Sequence, residues 1–166
     1  MAKYDATVTK VLDLMKATFG SKFEAYYDGD PEAIPLFQLP CIIVTQTTDD
    51  TEEAAQGEDD VTDRITIKVV LNKKDDFDAD NVREVNTTEK RIRDLIALRD
   101  SETGNYSIGT VKHAIRSAML DGVLAIAPTM NIEYGLNPRY APDSDYADLT
   151  TEGHVTFGVE YSVDTY

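Results

Sequence analysis

The sequence predicts an α+β fold, a mainly antiparallel sheet with helices packed on one face, and three observations carry that prediction. Apolar residues return at helical spacing in three stretches, beginning at Val8, Val85 and Val111. Five other stretches are β-branched or alternate apolar with polar residues, as half-buried strands do. In chain order these read α-β-β-β-α-(α)-β-β, and the helices have no apolar surface to bury against except the sheet. Consecutive strands joined by loops are expected to pair antiparallel.

Val8, Val11, Leu12, Met15 and Phe19 share one face of a helix from about Asp5 to Thr18, which Gly20 stops. Phe23–Tyr27 reads as a short strand. Asp28-Gly29-Asp30-Pro31, with Pro35 and Pro40 beyond it, then excludes helix. Leu39–Thr48 is the second strand, and its unbroken Cys41-Ile42-Ile43-Val44 predicts a centre buried on both faces. In the third, Val61, Ile65, Ile67, Val69 and Leu71 alternate with polar residues, while Asp63 and Val70 interrupt the pattern.

A turn at Lys73–Asn81 leads into the second helix. Val85, Thr88, Ile92, Leu95, Ile96 and Arg99 mark its inner face, Asp80 or Asn81 could cap it, and it ends near Asp100. The third helix, Thr110 to Leu120, turns Val111, Ala114, Ile115, Ala118 and Met119 to one side, with Gly122 placed for a C-terminal cap. Tyr106-Ser107-Ile108 before it could form a small strand. Two strands close the chain, one on Met130, Ile132, Tyr134 and Leu136, the other on Val155, Phe157, Val159, Tyr161 and Val163.

Two long polar loops interrupt this plan, at 49–60 and 137–153. The first, DDTEEAAQGEDD, holds seven carboxylates: Asp49, Asp50, Glu52, Glu53, Glu58, Asp59 and Asp60. It has no Pro, one Gly and strong self-repulsion, so it is expected to be extended and mobile. A long loop of this kind is the best candidate for the surface that meets a partner.

At 166 residues the chain fits one domain, 1–166. It carries 16 basic against 31 acidic side chains, a formal net charge of −15. That field repels nucleic acid, and the short basic clusters Lys73-Lys74 and Lys90-Arg91 with Arg93 are neighboured by carboxylates. The single cysteine, Cys41, reads as a buried strand residue and suits a reducing cytoplasm. No signal peptide is visible after Met1 and no run approaches the length of a transmembrane helix, so a soluble cytosolic product with no membrane contact is expected.

Signals for chemistry are weak. Asp76, Asp78, Asp80 and Asn81 echo the start of a calcium loop, but the sixth position is Asn81 rather than Gly and the twelfth is Thr87 rather than Glu. Asp143, Asp145 and Asp148 fit a turn-rich loop as well as a weak cation site. Two distant histidines, His113 and His154, supply neither a zinc ligand pair nor a base beside a flagged nucleophile. Phosphate-binding glycine motifs are absent. No catalytic, cofactor-binding or metal residue is therefore assigned, and no cofactor is expected.

The layout resembles the tail-terminator or tail-completion proteins of tailed bacteriophages. The resemblance runs through VTKVLDLMKATFGSKFEAYY, an amphipathic helix entering an aromatic strand, and LPCIIVTQTT, a proline-marked entry into a buried strand. It continues through the acidic hairpin loop, RITIKVVLN, VREVNTTEKRIRDLI and the closing strand EGHVTFGVEYSVDTY. It spans nearly the whole chain and rests on order and texture rather than on a diagnostic motif. It implies a virion structural protein without catalysis: a homohexameric ring at the head-proximal end of the tail, assembled in the host cytoplasm. Its partners would be its own copies, the tail tube protein and a head-completion or connector protein, with DNA passing through unbound. The seven carboxylates of the 49–60 loop would then project towards the tube or its lumen. Two other readings stand beside it: another head–tail connector such as a stopper or neck protein, and a small cytoplasmic enzyme or ligand-binding domain using Asp/Glu with a divalent cation.

Overall fold

The computed structural model describes residues 6–76 and 87–164. Helix α1 (Thr7–Phe19) is followed by strands β1 (Ala25–Asp28), β2 (Cys41–Ala55) and β3 (Glu58–Asn72), helices α2 (Thr87–Ala97) and α3 (Val111–Leu120), and strands β4 (Ile126–Pro138) and β5 (Leu149–Asp164). The five strands form one sheet in the order β1-β2-β3-β5-β4. It is an α+β fold. The predicted caps Asp80 and Asn81, Val85 of the inner stripe, and Asp78, Asp80 and Asn81 of the calcium-loop echo lie outside the described residues.

All three helices bury most of their stripes on one face of the sheet, although Met119 is exposed and Arg99 lies beyond the end of α2. Val11, Met15, Ile92, Ile96, Val111 and Ile115 from the helices meet Ile42, Val44, Ile65, Ile67, Val69, Val155 and Phe157 from the strands. Thr110 caps α3 by accepting the His113 amide, and Gly122, at φ 71°, follows its end. Tyr106 makes only an isolated bridge to Arg99, not a strand.

Three expectations need correction. First, β1 pairs parallel with β2, Ala25 opposite Cys41 through Asp28 opposite Val44. Residues 29–40, with one 3-10 turn at Leu36–Gln38, give the chain enough length to cross over and return in the same direction without an α-helix. Second, residues 49–60 are not a structureless loop. Asp49 to Ala55 continue β2, Glu58 to Asp60 begin β3, and only Gln56 and Gly57 turn between them, Gly57 at φ 84°. Third, the 137–153 loop is shorter. Asn137 and Pro138 end β4, Leu149 to Gly153 open β5, and only 139–148 connects them.

The second face of the sheet is partly covered as well. Residues 29–40 lay Ile34 over Cys41, Ile43 and Val70, all fully buried, which explains why Val70 departs from the alternation. The 139–148 connection binds this segment, with Leu36 N–H donating to Asp145 O and Ala147 N–H to Ile34 O. Asp63 does not break the strand either. It lies on the helix side between Val61 and Ile65 and is buried, accepting from Thr7 Oγ1 at 2.6 Å, Tyr161 OH at 2.9 Å and Gln46 Nε2 at 3.0 Å.

Candidate functional site

Carboxylates are poor strand formers, so the pairing of residues 49–60 depends on long-range support. β3 supplies it from one side, and β5 completes it by running beside β3 as far as Asp164 opposite Glu58. The result is a three-stranded tongue. The last well-covered apolar residue along it is Val61, at 7% exposure, and residues 49–56 are all exposed. From Val61 to Gly57 the strand extends about 14 Å further, at ~3.4 Å per residue.

The tongue is electrostatically unfavourable by construction. Glu52 lies opposite Asp60, Glu53 opposite Asp59, and Asp49 opposite Asp63, while Glu58 faces Asp164. Like charges directly opposite one another in a ladder destabilise it. Among the described residues, none of the ion pairs includes any of the seven tip carboxylates. Only hydroxyls touch two of them, Thr51 at Asp49 and Ser162 at Asp60. All seven predicted contact residues are thus gathered on one projecting element. Glu53→Lys, which sets a lysine opposite Asp59, is expected to raise stability by roughly 0.2–1 kcal/mol in denaturant titrations, the gain shrinking as salt is added.

A second charged group sits on the far face of the sheet. Arg139, with its side chain 7% exposed, donates to Glu152 through Nε at 3.0 Å and Nη2 at 2.7 Å, and to Asp30 through Nη1 at 2.7 Å. Lys68 also reaches Asp30, at 2.6 Å, and His154 Nε2 lies 2.8 Å from Glu152 Oε1. Burial alone would raise the Glu152 pKa. Hydrogen bonds from His154, Arg139 and Thr150 outweigh it and hold the carboxyl down at about 2. Every buried polar atom here has a partner, and only a small cleft of about 140 Å³, shared with Glu133 and Asn137, reaches Glu152 and His154, so the group fastens Asp30 and the 139–148 connection to the sheet.

The third group is basic. The Tyr106 ring is faced by Arg99, Lys112 and Arg116, whose charged centres lie 4.6, 4.7 and 5.2 Å from its centroid. Its hydroxyl accepts from Arg99 and Lys112, both at 2.8 Å. The Lys112 hydrogen bond leads the causes that pull the phenol below its ordinary pKa, against the opposing effect of burial. A shallow depression of about 420 Å³ beside it is lined by Arg99, Tyr106, His113 and Arg116.

No family model matches this chain, and no curated protein matches it. The remaining sequence candidates are accounted for by local contacts. Asp76 is buried and takes hydrogen bonds from Lys73 and from the Thr88 amide and hydroxyl, which ties the end of β3 to α2. Asp143 accepts the Asp145 amide in a turn, and Asp148 faces Lys74 at 3.6 Å. Among the described residues, no three His, Cys, Asp or Glu side chains gather as a metal site. No helix among them is long and apolar enough to cross a membrane.

Sequence reasoning missed both the Arg139–Glu152 group and the Tyr106 cluster. Neither is signalled locally. Arg139 and Glu152 meet only because β4 and β5 pair, and the cations around Tyr106 come from α3 and from the connection that precedes it. The two-residue turn was legible in principle. Gln56-Gly57 holds the only glycine of the acidic stretch, with four carboxylates before it and three after.

Proposed function

We propose that this protein is a ring-forming structural component of a tailed-phage virion, a tail terminator that ends the tail tube and joins tail to head without catalysis. The observation that carries the reading is the acidic tongue. It is paired on three strands, runs beyond the last covered apolar residue, and is built from opposed carboxylates that destabilise the free subunit. Such a device gains nothing for an isolated globule. Directed into the channel of a ring, those of its carboxylates that subunit contacts leave free repel the phosphates of passing DNA, so the strand slides without sticking. The resemblance in element order supports the same reading, and the large negative charge opposes direct nucleic-acid binding.

Light scattering on the purified protein, alone and with tail tube protein, tests this. A particle of about six copies in a closed head-to-tail arrangement is expected. A strict monomer in both conditions, melting higher with added Ca²⁺ or Mg²⁺, would replace the reading with a cation-dependent one. Replacing residues 52–60 by Asn-Gly, between the paired Thr51 and Val61, removes five of the seven carboxylates and closes the hairpin with a favourable turn. Far-UV circular dichroism should be retained while head–tail joining fails. Normal joining by this variant would take the tongue out of the function.

A further inference from the structure

β4 is the last strand of the sheet, so one side of its backbone has no strand against it. Natural edge strands are usually blunted with lysine, proline or bulges, because unpaired N–H and C=O groups recruit other strands. From Thr129 to Asn137 there is no Pro, Lys or Arg. The register is regular from Met130 opposite Phe157 to Pro138 opposite Leu149. Tyr134 and Leu136, which point to the helix side, are 39% and 56% exposed. This edge is open and carries a single charge, Glu133, on the side away from the helices.

A second open edge belongs to β2. β1 covers it only from Cys41 to Val44, so its outer half, from Thr45 to Ala55, has no strand on that side. The two edges are compatible in direction. The strands from β2 through β3 and β5 to β4 alternate, so a β2 segment laid outside β4 runs antiparallel to it and keeps its helix-facing side on the helix side. Asp49, Thr51 and Glu53 share that side with Asp63 and Val61.

The charges match as well. Tyr134 on β4 flanks Gly153, where Ile92 and Ile96 of α2 come down, and α2 carries Arg93 and leads to Arg99, which with Lys112 and Arg116 rings Tyr106. The helix side of the β4 edge is therefore flanked by cations in a molecule of net charge −15. An acidic strand is the occupant such an edge selects, and the chain carries one with its own edge unpaired.

We infer that the outer half of β2 in one copy adds as a strand to β4 of the next, with Asp49 and Glu53 directed towards Arg93 and the Tyr106-centred cations. The contact is heterologous, each copy giving a tongue and receiving one, which is the geometry that closes rings. Backbone pairing supplies adhesion, and charge fixes which edge is accepted. The inference rests on the self-assembly proposed above and specifies its interface.

Charge exchange tests it. One variant carries Arg93→Glu and Arg99→Glu; the other carries Asp49→Lys and Glu53→Lys. Each alone is expected to keep its far-UV spectrum and to weaken assembly by on the order of tenfold or more, measured by sedimentation against concentration. Mixed in equal amounts they should assemble again, because every contact in an alternating ring then pairs opposite charges. Two folded variants that each assemble like the parent would overturn the interface while leaving the ring reading intact. A mixture no better than its components would overturn it too, as would a two-fold dimer joined through β4 alone. A parent protein that stays monomeric with and without tail tube protein would remove the ring reading itself.

Discussion

Arg139→Ala is expected to destabilise the protein by about 3–5 kcal/mol, the range for removing one partner of a buried ion pair. Glu152 is 2% exposed and would be left with only His154 and Thr150 as neighbours able to donate. Asp30 would lose one of its two ion-pair partners and keep only Lys68 on β3. The loss extends beyond the pair, because the same contacts hold residues 29–40 and 139–148 over Cys41, Ile43 and Val70. Urea titration of the single variant and of Arg139→Met combined with Glu152→Leu separates the contributions. Refilling the space with apolar side chains should recover most of the loss. A single variant within about 1 kcal/mol of the parent would show that the group is solvated in solution.

The same group sets an acid limit. Glu152 has a folded pKa of about 2 against an ordinary value of 4.5. Its contribution is present in full above pH 4.5 and is lost as the pH falls towards 2, because protonation removes the charge that Arg139 and His154 bind. At about 1.4 kcal/mol per pH unit, the gap corresponds to roughly 3 kcal/mol. Denaturant midpoints of the parent should fall through this window more steeply than those of the apolar double variant.

Gly153→Val is expected to cost about 3 kcal/mol through overpacking. A Cβ built there falls 2.3 Å from Ile96 Cδ1 and 2.6 Å from Ile92 Cγ2. Both isoleucines are fully buried, so neither methyl has open space to enter. Gly153 is the place where α2 comes down onto β5, and the Tyr134 ring covers its other flank at 3.3 Å. Gly153→Ala should cost less, and adding Ile96→Val, which deletes the closest methyl, should restore part of it. Thermal melts of the three variants provide the comparison. Equal melting temperatures for Gly153→Val and the parent would mean that α2 is free to lift away from the sheet.

The helical stripes were legible because burial on one sheet face requires the 3.6-residue period, and Val11, Met15, Ile92, Ile96 and Ile115 all lie where that period puts them. The alternation of Ile65, Ile67, Val69 and Leu71 gave the core face of β3 for the same reason. The acidic tip was read as a loop because Asp and Glu disfavour strands locally, while the ladder that overrides them comes from β5, about a hundred residues away in sequence. The parallel pairing of β1 was hidden because nothing in FEAYY or the prolines that follow it fixes strand direction. Of the candidate site, the seven carboxylates were legible as a charge cluster. The cations around Tyr106 were not, since they converge only after α2 and α3 pack.

Cys41 has a practical consequence. Its thiol is enclosed between β1, β3 and the 29–40 segment, and burial leads the causes that push its pKa up to about 12. The thiolate is the form that attacks thiol reagents, so the native protein should be inert to them. Labelling of Cys41 then becomes a clock for detachment of the proline-rich crossover, and a cysteine introduced anywhere on the surface becomes a single-site handle for dyes or spin probes.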